Sequence, residues 1–261
     1  MPCYKTGKPP GGTSVKILLA IVASFLLVGN AFADDAPVSP ETWNAYQGTT
    51  LTVVTHKPGD FAARTAGRAI FAMVGAVVMI TVGNKIVQDD HLVDPALAIA
   101  AKLSALVSDR VKANSTTTVA DQDSSSESAL VAVAGGKGLV LNVETTYWGF
   151  GYFPFSPNHY RVEYLVHAKL IDAVKKDTIA DSRCQYWPDD AGAPTADEMR
   201  ADHSARLKTM LGVAADFCIA KLEKDMFGVT EPVPAAPPPA ATTAVTSPPA
   251  PAPPAVPPKT N

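Results

Sequence analysis

The chain has little of what most enzymes and metalloproteins carry. Its five histidines (His56, His91, His159, His167 and His203) are scattered, with no H-E-x-x-H and no paired spacing suited to a metal. No G-x-S-x-G marks a nucleophile elbow. Gly135-Gly136-Lys137-Gly138 lacks the spacing of a phosphate loop and has no Ser or Thr after the lysine, so it reads as a turn before a strand. Asp89-Asp90-His91 gathers ligand types, but adjacent residues point in different directions, and the triplet reads as a solvated loop at the entry to a helix. No catalytic, cofactor-binding or metal-binding residue is assigned, and the chain is read as non-enzymatic.

Positive charge is also short. The sequence holds 22 basic and 25 acidic residues, and three of the lysines (Lys5, Lys8, Lys16) fall in residues 1–33, which hold no acid, leaving 19 against 25. A mildly acidic body without a basic stripe excludes nucleic acid, whose binding needs clustered Lys and Arg to displace counterions.

The three leading lysines precede a 13-residue apolar run, Ile17 to Gly29, and then Asn30-Ala31-Phe32-Ala33-Asp34. A positive start, an apolar stretch of about 7–15 residues and a small-x-small exit describe a secretory signal. Ala31 and Ala33 fill the small positions, cleavage is expected before Asp34, and the run is short of the roughly 20 residues that span a bilayer. The mature chain is expected in the periplasm or outside the cell. At the other end, residues 231–261 hold 12 of the 23 prolines and only two charges, Glu231 and Lys259. Proline removes the backbone donor and fixes φ, so residues 229–261 are expected as a disordered, extended tail.

Between these ends, residues 34–49 read as an N-terminal extension and 50–228 as one α/β domain. Leu51 to Thr55 is a short β-branched strand stopped by Lys57-Pro58-Gly59. Asp94-Pro95 opens a helix, with Asp as cap and Pro at the first helical position. Ile99, Leu103, Leu106, Val107 and Val111 follow at helical spacing. Ser115 to Ala120 reads as a short strand, followed by a polar loop and a short helix. Three strands come next: Leu139 to Tyr147, with Leu139, Leu141, Val143, Thr145 and Tyr147 on one face; Tyr160 to Leu170, with its even positions inward; and Thr178 to Trp187. A capping box, Thr195 with Glu198, starts a final helix that Gly228 stops. The sum is a two-layer α/β sandwich, an antiparallel or mixed sheet with helices on one face.

Two cysteines survive removal of the signal, Cys184 and Cys218. An even count in an exported chain favours a bridge between them. Cys184 shares a strand face with the small Ala180 and Ser182, where a helix can approach, and Cys218 lies on the apolar stripe of the last helix.

Two segments stand out as contact surfaces. Ala69 to Gly83 carries no charge and is bracketed by Arg68 and Lys85. It reads either as a buried core helix or as a helix that meets a membrane or a partner; Gly67, Gly75 and Gly83 fall roughly along one helical face. Tyr147 to Phe155 packs six aromatics into nine residues. It is expected as a loop that either folds back over the core or offers Trp148, Phe150, Tyr152, Phe153 and Phe155 to a partner.

The order of elements, with Gly83-Asn84-Lys85-Ile86-Val87 followed by Asp94-Pro95 and ending in a cysteine-bearing helix, resembles the N-terminal domain of TolB and small envelope lipoproteins of Gram-negative bacteria. It is also similar to uncharacterised exported proteobacterial proteins. The chain departs from the lipoproteins in having Asp34, not cysteine, after the cleavage point. The resemblance implies no known reaction. The expected function is binding of another envelope component, a protein or the cell wall, without cofactor; the alternative is membrane association through residues 69–83.

Overall fold

β-Branched and aromatic residues build the sheet, and three long helices pack on it. The computed structural model describes residues 37–66, 72–189 and 192–229. The signal positions Ala31, Ala33 and Asp34, and the proline-rich tail from residue 230 onward, lie outside the described residues.

In chain order the elements are α1 (Pro40–Ala45), β1 (Thr50–His56), β2 (Phe61–Ala63), α2 (Ala72–Asp90), α3 (Ala96–Val111), β3 (Ser115–Gln122), α4 (Glu127–Val133), β4 (Leu139–Phe153), β5 (Ser156–Asp172), β6 (Asp177–Tyr186) and α5 (Ala196–Phe227). The sheet runs β3-β1-β4-β5-β6, and β2 pairs with β4 further along the edge that β1 occupies. β1 is parallel to both β3 and β4, while β4, β5 and β6 form an antiparallel meander. The mixed α/β class expected from the sequence is the one observed.

The main core lies between the sheet and α2, α3 and α5. All six even positions from Tyr160 to Leu170 face it, beside Leu139, Leu141 and Val143 of β4 and the stripe Ile99, Leu103, Val107 and Val111 of α3. The opposite face is not bare. There α4 covers a second, smaller core of Val54, Leu130, Val131, Val140, Ile171 and Ala173. A hydrogen bond from Thr178 Oγ1 to Glu127 Oε1 (3.0 Å) ties α4 to β6.

Four local features depart from the sequence expectations. Part of the N-terminal extension packs on the domain: Trp43 of α1 is buried against Phe227 at 5.6 Å, and Val38 N–H donates to the Met226 carbonyl at 2.9 Å. In β4 the register shifts between Thr145 and Tyr147. A bulge inserts one residue and inverts the phase of the alternation. Tyr147 therefore leaves the face of Leu139, Leu141 and Val143, and Trp148 and Phe150 take it over. The aromatic stretch is strand through Phe153, with a tight turn at 154–155, not a loop. Finally, α5 is broken near its start. Asp202, His203 and Ser204 adopt left-handed backbone, with φ of 51, 53 and 57°. Each such residue is disfavoured for an L-amino acid with a side chain. The turn is held by buried Ser204, whose hydroxyl donates to Asp90 at the end of α2.

The Cys184–Cys218 disulfide is present, joining β6 to α5 across a Cα–Cα distance of 5.4 Å. The capping box also forms: Glu198 N–H donates to Thr195 Oγ1 (3.3 Å) and Thr195 N–H donates to Glu198 Oε2 (2.8 Å). Gly228 ends α5 at φ 67°.

Candidate functional site

From Ala72 the uncharged segment is a helix, α2, covered towards its C-terminal end and exposed at Val77, Val78 and Ile80. Towards its C-terminal end α2 lies on β2 so closely that a Cβ at Gly83 would overlap the Phe61 carbonyl. Ile86 is buried there, and Val82 and Val87 pack against the core. Asn84 locks the contact, its Oδ1 accepting from Phe61 N–H (2.9 Å) and its Nδ2 donating to Asp60 (2.7 Å). One turn further out the cover ends. Val77 is 68% exposed, and Val78 and Ile80 are each 36% exposed. A wholly buried helix is thus not what forms. Among the described residues no helix is long and apolar enough to cross a membrane. Of the three spaced glycines, Gly83 serves packing within the chain; Gly67 lies outside the described residues.

The aromatic stretch divides in the same way. Trp148 and Phe150 are each 1% exposed. Phe61 meets Trp148 edge-on at 5.0 Å, and Phe150 meets Tyr160 at 5.8 Å. The indole N–H of Trp148 donates to the Gly59 carbonyl at 2.7 Å. The bulge that turned these two rings inward withdraws them from any surface contact. Tyr152 and Phe153 are half-buried, and Phe155 at the tip is fully exposed. Beside the tip is a cleft of about 560 Å³ lined by Phe153, Phe155, Ser156, His159, Arg161 and Asp189. The Arg161 guanidinium lies 5.1 Å from the Phe153 ring and 6.0 Å from the Trp187 ring, and it donates to Asp189 Oδ1 at 3.1 Å.

Comparison with known proteins adds little to this geometry. No protein-family model matches the chain, and no curated protein matches it. Among solved structures it is similar to a neuraminyllactose-binding hemagglutinin homologue from Helicobacter pylori, at 9% identity and a TM-score of 0.31, covering 73% of this chain and 88% of that one. The likeness to TolB expected from the order of elements is not shown by these comparisons.

A polar network on the sheet face away from the long helices reaches the hairpin cleft through Arg161. Glu163 of β5 is buried and pairs with Arg64, which lies just ahead of α2. Tyr147 Oη donates to Glu163 Oε2 (3.2 Å), and Arg161 Nε lies 3.7 Å from Glu163 Oε1. Gly151 leaves the space that Arg64 and Glu163 fill. Burial pushes the Tyr147 phenol up to about 12, reinforced by the carboxylate of Glu163 and opposed by Arg64. Sequence reasoning missed this network. Its signal was Glu163 on the wet side of the β5 alternation, but nothing in the spacing joins it to Arg64, 99 residues away.

Several other polar side chains pair within the fold. His167 Nε2 meets Asp181 Oδ1 at 2.6 Å beside Lys169, and His56 Nε2 meets Asn142 Oδ1 at 2.6 Å. Asp90 of the Asp89-Asp90-His91 triplet holds Ser204 and faces His203 Nδ1 at 3.7 Å. No group of three or more metal-ligating side chains occurs among the described residues. Asp94 is buried. Its Oδ1 accepts from Ala96 N–H (2.9 Å) and from Thr145 Oγ1 (2.6 Å), and the Tyr164 hydroxyl lies 3.0 Å from Thr145 Oγ1. Desolvation raises the Asp94 carboxyl despite these donors, and it raises Tyr164 as well.

Proposed function

We propose that the chain is an exported, non-enzymatic envelope protein that binds another envelope component through the outer half of α2 and the β4–β5 hairpin tip. The observation that carries this reading is the uncovered apolar surface at Val77, Val78 and Ile80, which water penalises and a partner would cover. Phe155 offers an aromatic anchor of the kind that dominates interfaces. The disulfide fits an oxidising compartment, in agreement with the export signal read at residues 1–33.

The test is site-specific photocrosslinking in intact cells, with the crosslinker at Val77 or at Phe155. A discrete adduct with one envelope protein or with the cell wall is expected, and it should vanish when Val78 and Ile80 are both changed to Asp. Absence of any adduct at both positions overturns the reading. A second reading has its own support. Residues 69–83 hold no charge and Val77, Val78 and Ile80 of α2 are exposed, so this stretch of the helix would suit the interfacial layer of a bilayer.

A further inference from the structure

The strand path β3-β1-β4-β5-β6 has two ends, and they are built differently. At one end β6 carries charge within the strand, at Asp177, Asp181 and Arg183. Charged side chains are one of the devices that keep a sheet edge from pairing. At the other end β3 has no charge, proline or glycine from Ser115 to Ala120. From Ser115 to Val119 it keeps unbroken parallel register with β1, and the shift comes only beyond, opposite Val54 to His56. Every residue from Ser115 to Thr118 is exposed. Among the described residues no strand lies beyond β3, so its outer row of N–H and C=O groups faces outward.

Such a row pairs with another extended backbone, and the charges along β3 select which one. Lys112 stands just ahead of the strand and Asp121 within its end, with no charged residue between them. Lys112 has an ion pair with Asp109, but both side chains are exposed and such a pair holds weakly. Asp121 has no ion pair among the described residues. A strand that is positive at its start and negative at its end is complementary to itself run backwards. Its side chains suit that arrangement too. Thr116, Thr117 and Thr118 project to alternate faces, with Thr116 on the α3 side, 2.8 Å from Ser108 Oγ. Threonine facing threonine is a favourable cross-strand pair. The proline-rich residues 231–261 suit the edge poorly, because proline lacks the backbone donor a paired strand needs.

We propose that β3 pairs antiparallel with β3 of a second copy of this chain, joining the two sheets across a two-fold axis at Thr117. That axis sets Thr117 against Thr117, Thr116 against Thr118 and Ser115 against Val119, and it brings Lys112 of each copy to the Asp121 end of the other. The contact is separate from α2 and the hairpin tip, and it stands or falls independently of the binding role proposed for them.

The test is sedimentation velocity on the mature, disulfide-bonded protein. A reversible dimer is expected at about 100 μM, dissociating on dilution as suits a small interface. Thr117→Lys sets two ammonium groups against each other on the axis and should leave only monomer, with the circular dichroism unchanged. Lys112→Glu should weaken the dimer several-fold, and adding Asp121→Lys should restore it. Under air oxidation Thr117→Cys should give a disulfide-linked dimer, while Thr116→Cys, which faces Thr118, should not. Four results overturn the proposal: monomer alone at about 100 μM; a dimer that persists in Thr117→Lys, which puts the contact elsewhere; no weakening by Lys112→Glu; or Thr116→Cys linking as readily as Thr117→Cys.

Discussion

Asp94 concentrates the physics of this fold in one side chain. It stands before α3, where the helix dipole favours negative charge, yet it is buried deeply enough that desolvation wins and the carboxyl titrates above its ordinary value of 3.8. The sign follows from linkage. A raised carboxyl stabilises the folded state in its protonated form, so its contribution is fully present below pH 3.8 and is lost as pH climbs through the raised value. Asp94→Asn keeps a neutral acceptor for Ala96 N–H. Wild type should therefore lose stability relative to this variant as pH rises from about 4 towards neutrality. Denaturant midpoints measured across that range test it, and a constant difference between the two proteins counts against it. The sequence identified Asp94 as a helix cap because Asp-Pro is a local signal. That Thr145 and Tyr164 would close over it depended on strands about 50 and 70 residues downstream, which no local pattern reports.

Among the elements, α5 shows how far local rules reach. Its two ends were legible: the Thr195–Glu198 box and Gly228 at positive φ are short-range devices. Its break was not, because the left-handed turn at Asp202 to Ser204 exists only where Asp90 arrives from α2 to take the Ser204 hydroxyl. The β4 bulge is similar. Alternation predicted the inward face correctly from Leu139 to Thr145, and one inserted residue then exchanged Tyr147 for Trp148. The bridge from β6 to α5 was legible in pattern, since small neighbours on the strand and an apolar helix stripe both admitted it. It closes a sequence separation of 34 residues. Replacing both Cys184 and Cys218 by Ser should cost about 3–4 kcal/mol in chemical denaturation, the loop-closure cost returned to the unfolded chain. A loss near zero would mean that helix and sheet hold their register without it.

At the scale of the whole molecule, the chain combines a well-filled interior with apolar surface that its own fold leaves uncovered. Among the described residues the sheet, two cores and disulfide enclose most large hydrophobic side chains, while Val77, Val78 and Ile80 of α2 and Phe155 at the hairpin tip are left in water. If a protein or wall partner covers that surface, carbonate should release the mature chain from cell membranes. If the outer half of α2 is seated in lipid, the chain should stay with the membrane fraction, and the second reading replaces the first. The sequence by itself determined the fold class, the main strands and helices, the caps and the cysteine pair, because each follows from local periodicity, capping chemistry or parity. The tertiary structure alone decided which apolar residues are covered. Trp148 and Val77 are both hydrophobic in hydrophobic surroundings, and only the bulge in β4 and the docking of Gly83 on Phe61 send one inward and leave the other in water.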